Sequence, residues 1–151
     1  NQGGGGKAYF DRLKRKAQGL AVEFCDPIFD INQLVKFYHQ ADIFCYPSLA
    51  DRGESFGLAP LEAMATGLVP IVSNLDCFRD FITEGKTGYF FDHRSSNAAY
   101  NLSEILKKAL NNCTKNNTMS ENASIQALRY SYTVISHSYL EKFHGLLFGE
   151  Y

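Results

Sequence analysis

The chain has 151 residues, 45% of them hydrophobic and 21% charged, with a formal net charge of -1, the size and balance of one globular domain with a real core. No basic run is present, so neither nucleic acid nor an anionic membrane is an expected partner, and the apolar stretches are strand-sized, so no transmembrane helix or signal peptide is expected. Four cysteines, Cys25, Cys45, Cys77 and Cys113, form no C-x-x-C pair and have no histidine at metal-ligand spacing; they read as reduced thiols of a cytoplasmic protein, with Cys45 a small buried hydrophobe in an apolar strand.

Asn1 to Gly6, NQGGGG, is too rich in glycine to hold a structure alone and divides from residues 7–151. Lys7 to Gln18 has Phe10, Leu13 and Ala17 at helical spacing, with Gly19 as a stop. Ala21 to Phe24 reads as a short strand and Cys25 to Phe29 as a loop. Asp30 then caps a helix, with Gln33 three residues on in a capping-box arrangement. Leu34, Phe37, Tyr38 and Ala41 form that helix's apolar face at i, i+3, i+4, i+7. Ile43 to Tyr46 and Val69 to Val72 are unbroken apolar runs, expected as strands covered on both faces.

Gly67 fits the C-cap of the helix before the second of these strands. Beyond it, Asp76 to Thr83 reads as a short helix, Gly85 to Gly88 as a turn and Tyr89 to Phe91 as a strand. Asn97 to Asn111 is expected as a helix with Leu102, Ile105, Leu106 and Ala109 inward, and Cys113 to Thr118 as a polar loop. Two helices follow, Ser120 to Tyr130 and Thr133 to Phe148, the last with an apolar stripe of Ile135, Tyr139, Phe143 and Leu146 or Leu147. His39 on a helix and His93 in a turn read as ordinary side chains. His137 and His144 share a helix face without a carboxylate partner, so no metal site is expected. Glycosylation sequons at Asn101, Asn112, Asn116 and Asn122 read as coincidence in an Asn-rich region.

Strands alternating with helices imply an α/β fold, a Rossmann-like parallel sheet with helices on both faces. Four strands are expected where a complete nucleotide-binding half has about six. An incomplete sheet leaves an open edge through which two copies could pair as a homodimer.

The chain is organised around Pro47 to Ser73, PSLADRGESFGLAPLEAMATGLVPIVS. Ser48 to Gly53 is loop chemistry. Glu54-Ser55-Phe56-Gly57 leads into a helix that tolerates Pro60, because first-turn amides have no intrahelical acceptor. The amides of Phe56, Gly57 and Leu58 are therefore free at the positive end of a helix dipole, and Gly57 lets an anion come close to the backbone. Glu62 follows Glu54 by eight residues, about one turn inside the helix, so two carboxylates flank one anion cradle. A carboxylate repels a bare phosphate but accepts hydrogen bonds from vicinal hydroxyls. A ligand with a diphosphate in its middle and hydroxylated rings at both ends, a nucleotide-sugar, fits both features. The Phe56 ring reads as core, with only its amide implicated.

The run ESFGLAPLEAMATGLVPIVS resembles the E-x7-E signature of retaining GT-B glycosyltransferases of the glycosyltransferase 4 (group 1) type. LVKFYHQADIFCYPS upstream and CFRDFITEGKTGYFFD downstream are similar to the segments that flank that signature, and the resemblance covers the chain from Lys7 onward. It implies that residues 7–151 are part of the C-terminal, nucleotide-sugar-binding domain of a GT-B enzyme, without that domain's opening strands or the N-terminal domain. The parent would be a hexosyltransferase that moves a sugar from a UDP- or GDP-linked donor, with retention, to an acceptor saccharide, lipid-linked sugar or small molecule.

By the same resemblance Glu54 would be the catalytic-site residue that binds and positions the donor sugar. Ser55, Phe56, Gly57 and Leu58 would hold the diphosphate through backbone amides, Glu62 would hold the ribose, and the base would lie near Cys25 to Pro27. No metal is implied, in keeping with the absence of a D-x-D. The family's basic diphosphate clamp precedes this region, and Arg52 reads as a surface-loop arginine. The fragment alone is expected to be inactive, and the parent cytoplasmic or peripheral to the membrane. The alternatives are a non-catalytic nucleotide-sugar-binding or interaction module and a GT-B nucleotide-sugar epimerase. The AMATG string after Glu62 points to the transferases.

Overall fold

The structure, a computed structural model, describes residues 5–50, 54–111 and 113–149, without the side chains of residues 5 and 113–116. Arg52 and most of the Gly-rich segment lie outside the described residues. Among those described, three strands form one parallel sheet in the order β1-β2-β3: β1 Ile43–Tyr46, β2 Val69–Ser73 and β3 Tyr89–Phe91. Around it run the helices α1 Gly5–Ala17, α2 Ile31–Tyr38, α3 Leu58–Ala65, α4 Ala98–Asn111, α5 Cys113–Leu128 and α6 Tyr132–Phe148, with a 3₁₀ turn at Asp76–Asp80.

Alternation along β2 divides the core between the two faces of the sheet. Val72 packs with Leu61 and Met64 of α3 and with Phe78, Phe81 and Ile82. Val69 and Ile71 point the other way, into a cluster with Tyr89, Ala109 of α4 and Met119 of α5. α5 reaches both clusters, because Ala123 and Ala127 join the first. This is the expected α/β arrangement, and it brings the carboxyl ends of all three strands to one side.

A proline in the central strand needs a reason, since it cannot donate to a ladder. The Val69 amide donates to the Asp42 carbonyl at 3.2 Å on the β1 side, so Pro70 faces β3. Pairing with β3 begins only at Ile71, opposite Tyr89. Gly88 lies there instead, and a Cβ on it would stand 2.6 Å from Pro70 Cγ.

Four expectations need correction. Ala21–Phe24 is not a strand, because a ladder needs a neighbour and the free edge of β1 meets none among the described residues. β1 is only partly covered: Ile43, Phe44 and Tyr46 are half-buried, and Cys45 is exposed rather than buried. The stretch 113–118 is not a loop but the first turns of α5. It contains neither glycine nor proline, and Met119, Ala123 and Ala127 anchor the helix in both clusters, so packing overrides weak propensity. The stripe of α6 has no inward side: Ile135, Tyr139, Phe143, Leu146 and Leu147 are exposed and only Gly145 is buried.

Smaller differences concern extent. The short helix expected from Asp76 to Thr83 is a 3₁₀ turn ending at Asp80. In α2, Asp30 accepts from the Gln33 amide at 2.9 Å as a cap should. Its covered face is Leu34, Val35 and Tyr38, with Phe37 and Ala41 outward. In α4, Leu102, Ile105, Leu106 and Ala109 face the core as expected.

Ser73 ends β2 with a fully buried hydroxyl that has no hydrogen-bond partner among the described residues. An unpaired buried hydroxyl is a standing penalty of about 1–3 kcal/mol. Ser73→Ala is therefore expected to raise stability by about 1 kcal/mol, read as a higher urea midpoint at unchanged slope. A fall of that size would show that the hydroxyl has a partner in solution.

Candidate functional site

The site forms where chain leaves the carboxyl ends of β1 and β2, the side on which open parallel sheets receive ligands. Tyr46 ends β1, and its hydroxyl donates to Glu54 Oε2 at 3.1 Å. Ser48 Oγ donates to the same oxygen at 3.3 Å. The loop thus returns to the strand it left, fastened by one carboxylate. Burial pushes the Tyr46 phenol above its ordinary pKa, and the bond to Glu54 raises it further, so it stays a proton donor at neutral pH. Half-buried Cys77 is raised by burial and then by the negative charge of Glu54, which makes its thiol a poor nucleophile.

Gly57 is the N-cap of α3 at φ +83° and ψ +66°, in the left-handed region that favours glycine. No described residue accepts a hydrogen bond from the amides of Ser55, Phe56, Gly57 or Leu58. They lead into the positive end of α3, whose own amides have no intrahelical acceptor in the first turn. Beneath Gly57 lies Phe78, fully buried. A Cβ on Gly57 would fall 2.3 Å from Phe78 Cε1, and Tyr46 meets the same ring edge-on at 5.9 Å between centroids.

The other sequence-nominated residues are distributed around this centre. The Phe56 ring turns away into an aromatic cluster with Phe81 and Tyr130, at 5.2 and 5.6 Å, as expected of a core side chain. Ser55 is exposed, and the Leu58 side chain is 64% exposed. Glu62 is exposed on α3, where its charge adds to burial in raising the pKa of Tyr38 on α2. It also lines a cavity of about 270 Å³ with Leu58, Leu61, Ala127 and Tyr130. Cys25 to Pro27 is exposed chain between α1 and α2, and no hydrogen bond or ring contact among the described residues joins it to the Glu54 loop.

Four residues not nominated from the sequence belong to this region. Tyr46 and Ser48 hold the carboxylate, and polar side chains flanking a proline at a strand's carboxyl end were the available signal. Arg94 Nη1 donates to the Asn74 carbonyl at 3.0 Å, and Arg79 donates to the Asn74 side chain while its guanidinium lies over the Phe90 ring. Both bring positive charge to the end of β2, which chain separation conceals. Elsewhere His137 does have a carboxylate partner, contrary to expectation: Glu141 Oε1 lies 3.3 Å from its Nε2 on the exposed surface of α6. Among the described residues no three His, Cys, Asp or Glu side chains are grouped to hold a metal ion, and no helix is long and apolar enough to cross a membrane.

Comparison with known proteins places this geometry among relatives. The family described as Glycosyl transferases group 1 matches residues 4–126. A phosphatidyl-myo-inositol mannosyltransferase of Mycobacterium leprae is 28% identical over 133 residues, 87% of this chain and 34% of that protein. A D-inositol 3-phosphate glycosyltransferase of Corynebacterium urealyticum is 31% identical over 126 residues, 83% of this chain and 28% of that protein. The chain thus spans about a third of the length of the curated relatives it matches. The crystal structure of Anabaena HepE in complex with UDP superposes with a TM-score of 0.75 at 20% identity, covering 94% of this chain and 38% of that one. Likeness at this identity establishes the α/β fold and nothing finer.

Proposed function

Because the chain belongs to the glycosyl transferases group 1 family, we propose that it is the donor-binding part of a retaining GT-B glycosyltransferase, with residues 7–151 in its C-terminal domain and the acceptor held by the rest of the enzyme. Glu54 binds hydroxyls of the donor sugar. The amides from Ser55 to Leu58 hold the diphosphate, and Glu62 holds the ribose. The supporting observation is a carboxylate fixed by two hydroxyls three residues before a glycine N-cap, where the amides of residues 55–58 have no acceptor among the described residues.

The chemistry follows from charge. The bond from the anomeric carbon to the diphosphate breaks with its electron pair leaving on a phosphate oxygen, and the new bond forms to an acceptor hydroxyl. Amides aimed at the leaving oxygen stabilise the charge that develops there, a contribution of several kcal/mol when water is excluded. No metal takes part in this reading. Two relatives carry inositol acceptors in their names, so an inositol-bearing acceptor is the first class to offer the whole enzyme, working in or at the edge of the cytoplasm.

Titration with UDP, GDP, ADP, UDP-glucose and GDP-mannose, followed by amide chemical shifts, tests the reading. Shifts are expected at Ser55 to Leu58 for one nucleotide, and at Glu62 with them. Glu54→Gln is expected to reduce nucleotide-sugar affinity about tenfold, the worth of a charged hydrogen bond, with nucleotide affinity unchanged. No shift at Ser55 to Leu58 in a folded chain would overturn the assignment, and turnover by the chain alone would overturn its being only the donor part.

A further inference from the structure

We infer that Tyr46 is a positioning residue which, through its hydroxyl, selects the oxygen of Glu54 that the donor meets. The inference rests on the proposed role of Glu54 and extends it to a residue that touches no substrate. A glutamate on a loop has three free side-chain torsions, so its carboxylate must be held from outside to be useful in recognition. Tyr46 and Ser48 both donate to Oε2, at 3.1 and 3.3 Å. An oxygen that has accepted two hydrogen bonds has used its lone-pair directions. Oε1 has no partner among the described residues and is the oxygen left for a sugar hydroxyl.

The two hydroxyls differ in what stands behind them. Ser48 lies in the loop itself. Tyr46 is the last residue of β1, in register with Val72 of the fully buried β2. Its ring stacks on Phe44 at 6.2 Å and meets Phe78 edge-on. Phe78 in turn lies against Gly57. One continuous set of contacts, Glu54 to Tyr46 to Phe78 to Gly57, therefore sets the distance between the carboxylate and the amide row. A donor that engages both at once needs that distance to be constant, and a small displacement there has a large effect on binding.

The test is the ratio of nucleotide-sugar to nucleotide affinity, measured on the 151-residue chain with UDP-glucose against UDP and GDP-mannose against GDP. Tyr46→Phe keeps the ring and its packing and removes only the hydroxyl. It is expected to lower the ratio about three- to tenfold, less than direct loss of a hydrogen bond to a charged group, which costs more than about tenfold, while affinity for the nucleotide alone stays within about twofold. Ser48→Ala, the reserve variant should Tyr46→Phe fail to fold, is expected to lower the ratio about twofold.

A merely structural role would lower both affinities together, and that outcome overturns the inference. So does an unchanged ratio in Tyr46→Phe when Glu54→Gln has lowered it. An unchanged ratio in Glu54→Gln, or a wild-type chain that prefers neither sugar to its nucleotide, overturns the role of Glu54 and this inference with it.

Discussion

Gly57→Ala is expected to destabilise the chain by about 2–5 kcal/mol and to abolish nucleotide binding. Two independent costs combine. At φ +83° a side chain is in the left-handed region, which costs an L-residue about 1–2 kcal/mol. The new methyl would also stand 2.3 Å from Phe78 Cε1 and 2.9 Å from Cδ1, and overpacking of a filled core costs about 1–3 kcal/mol. Against the 5–15 kcal/mol that holds a typical domain folded, this is a large fraction.

Urea unfolding gives the total, and a second substitution separates the parts. Phe78→Leu removes the ring atoms in the way, so Gly57→Ala measured in the Phe78→Leu background, against Phe78→Leu alone, should cost only the backbone share. A loss below about 0.5 kcal/mol in Gly57→Ala alone would show that the loop adopts another backbone path.

Phe78→Ala is expected to cost about 3–5 kcal/mol, as removal of a fully buried aromatic does. Phe78 packs edge-on against Tyr46 and Phe81, at 5.9 and 6.3 Å, and closes the underside of Gly57. The distinctive consequence is at a distance from the cavity it leaves: the amides of Gly57 and Leu58 and the Tyr46 hydroxyl should change their chemical shifts without any direct substitution. Because Phe78 and Gly57 are in contact, their effects should not add, and the double-mutant cycle should depart from additivity by more than 0.5 kcal/mol. Strict additivity would show that the two do not touch in solution.

Strong local signals in the sequence carried over. The apolar runs of β1 and β2, the Asp30 cap and the i, i+3, i+4 face of α4 are decided within a few residues, and the structure has them. Gly57, expected from the sequence as a glycine at a helix start, has the positive φ that glycine favours. Expectations failed where the outcome depends on a neighbour. Ala21–Phe24 has a strand's composition but no strand to pair with among the described residues, and Cys45 has a buried residue's composition but is exposed.

The converse also holds. The first turns of α5 look like a loop locally and are helical because Met119 and Ala123 are anchored further on. At the site, the carboxylate and the glycine were legible from spacing, whereas the hydroxyls of Tyr46 and Ser48 were not. Their role depends on the loop folding back across eight residues onto the end of its own strand.

The exposed length of α6 means that the chain has two tiers of stability rather than one. Ser131 caps its start by accepting from the Val134 amide at 3.4 Å, and Gly149 closes its end at φ +70°. Tyr139 meets Phe143, and His144 meets Phe148, each pair one turn apart along the helix. These are local terms of tenths of a kcal/mol to about 1 kcal/mol each, and an isolated helix of this length is marginal in water. Since burial adds only Gly145, α6 can melt and reform while the sheet stays intact. Its amides therefore report helix–coil equilibrium, whereas those of β2 report global unfolding.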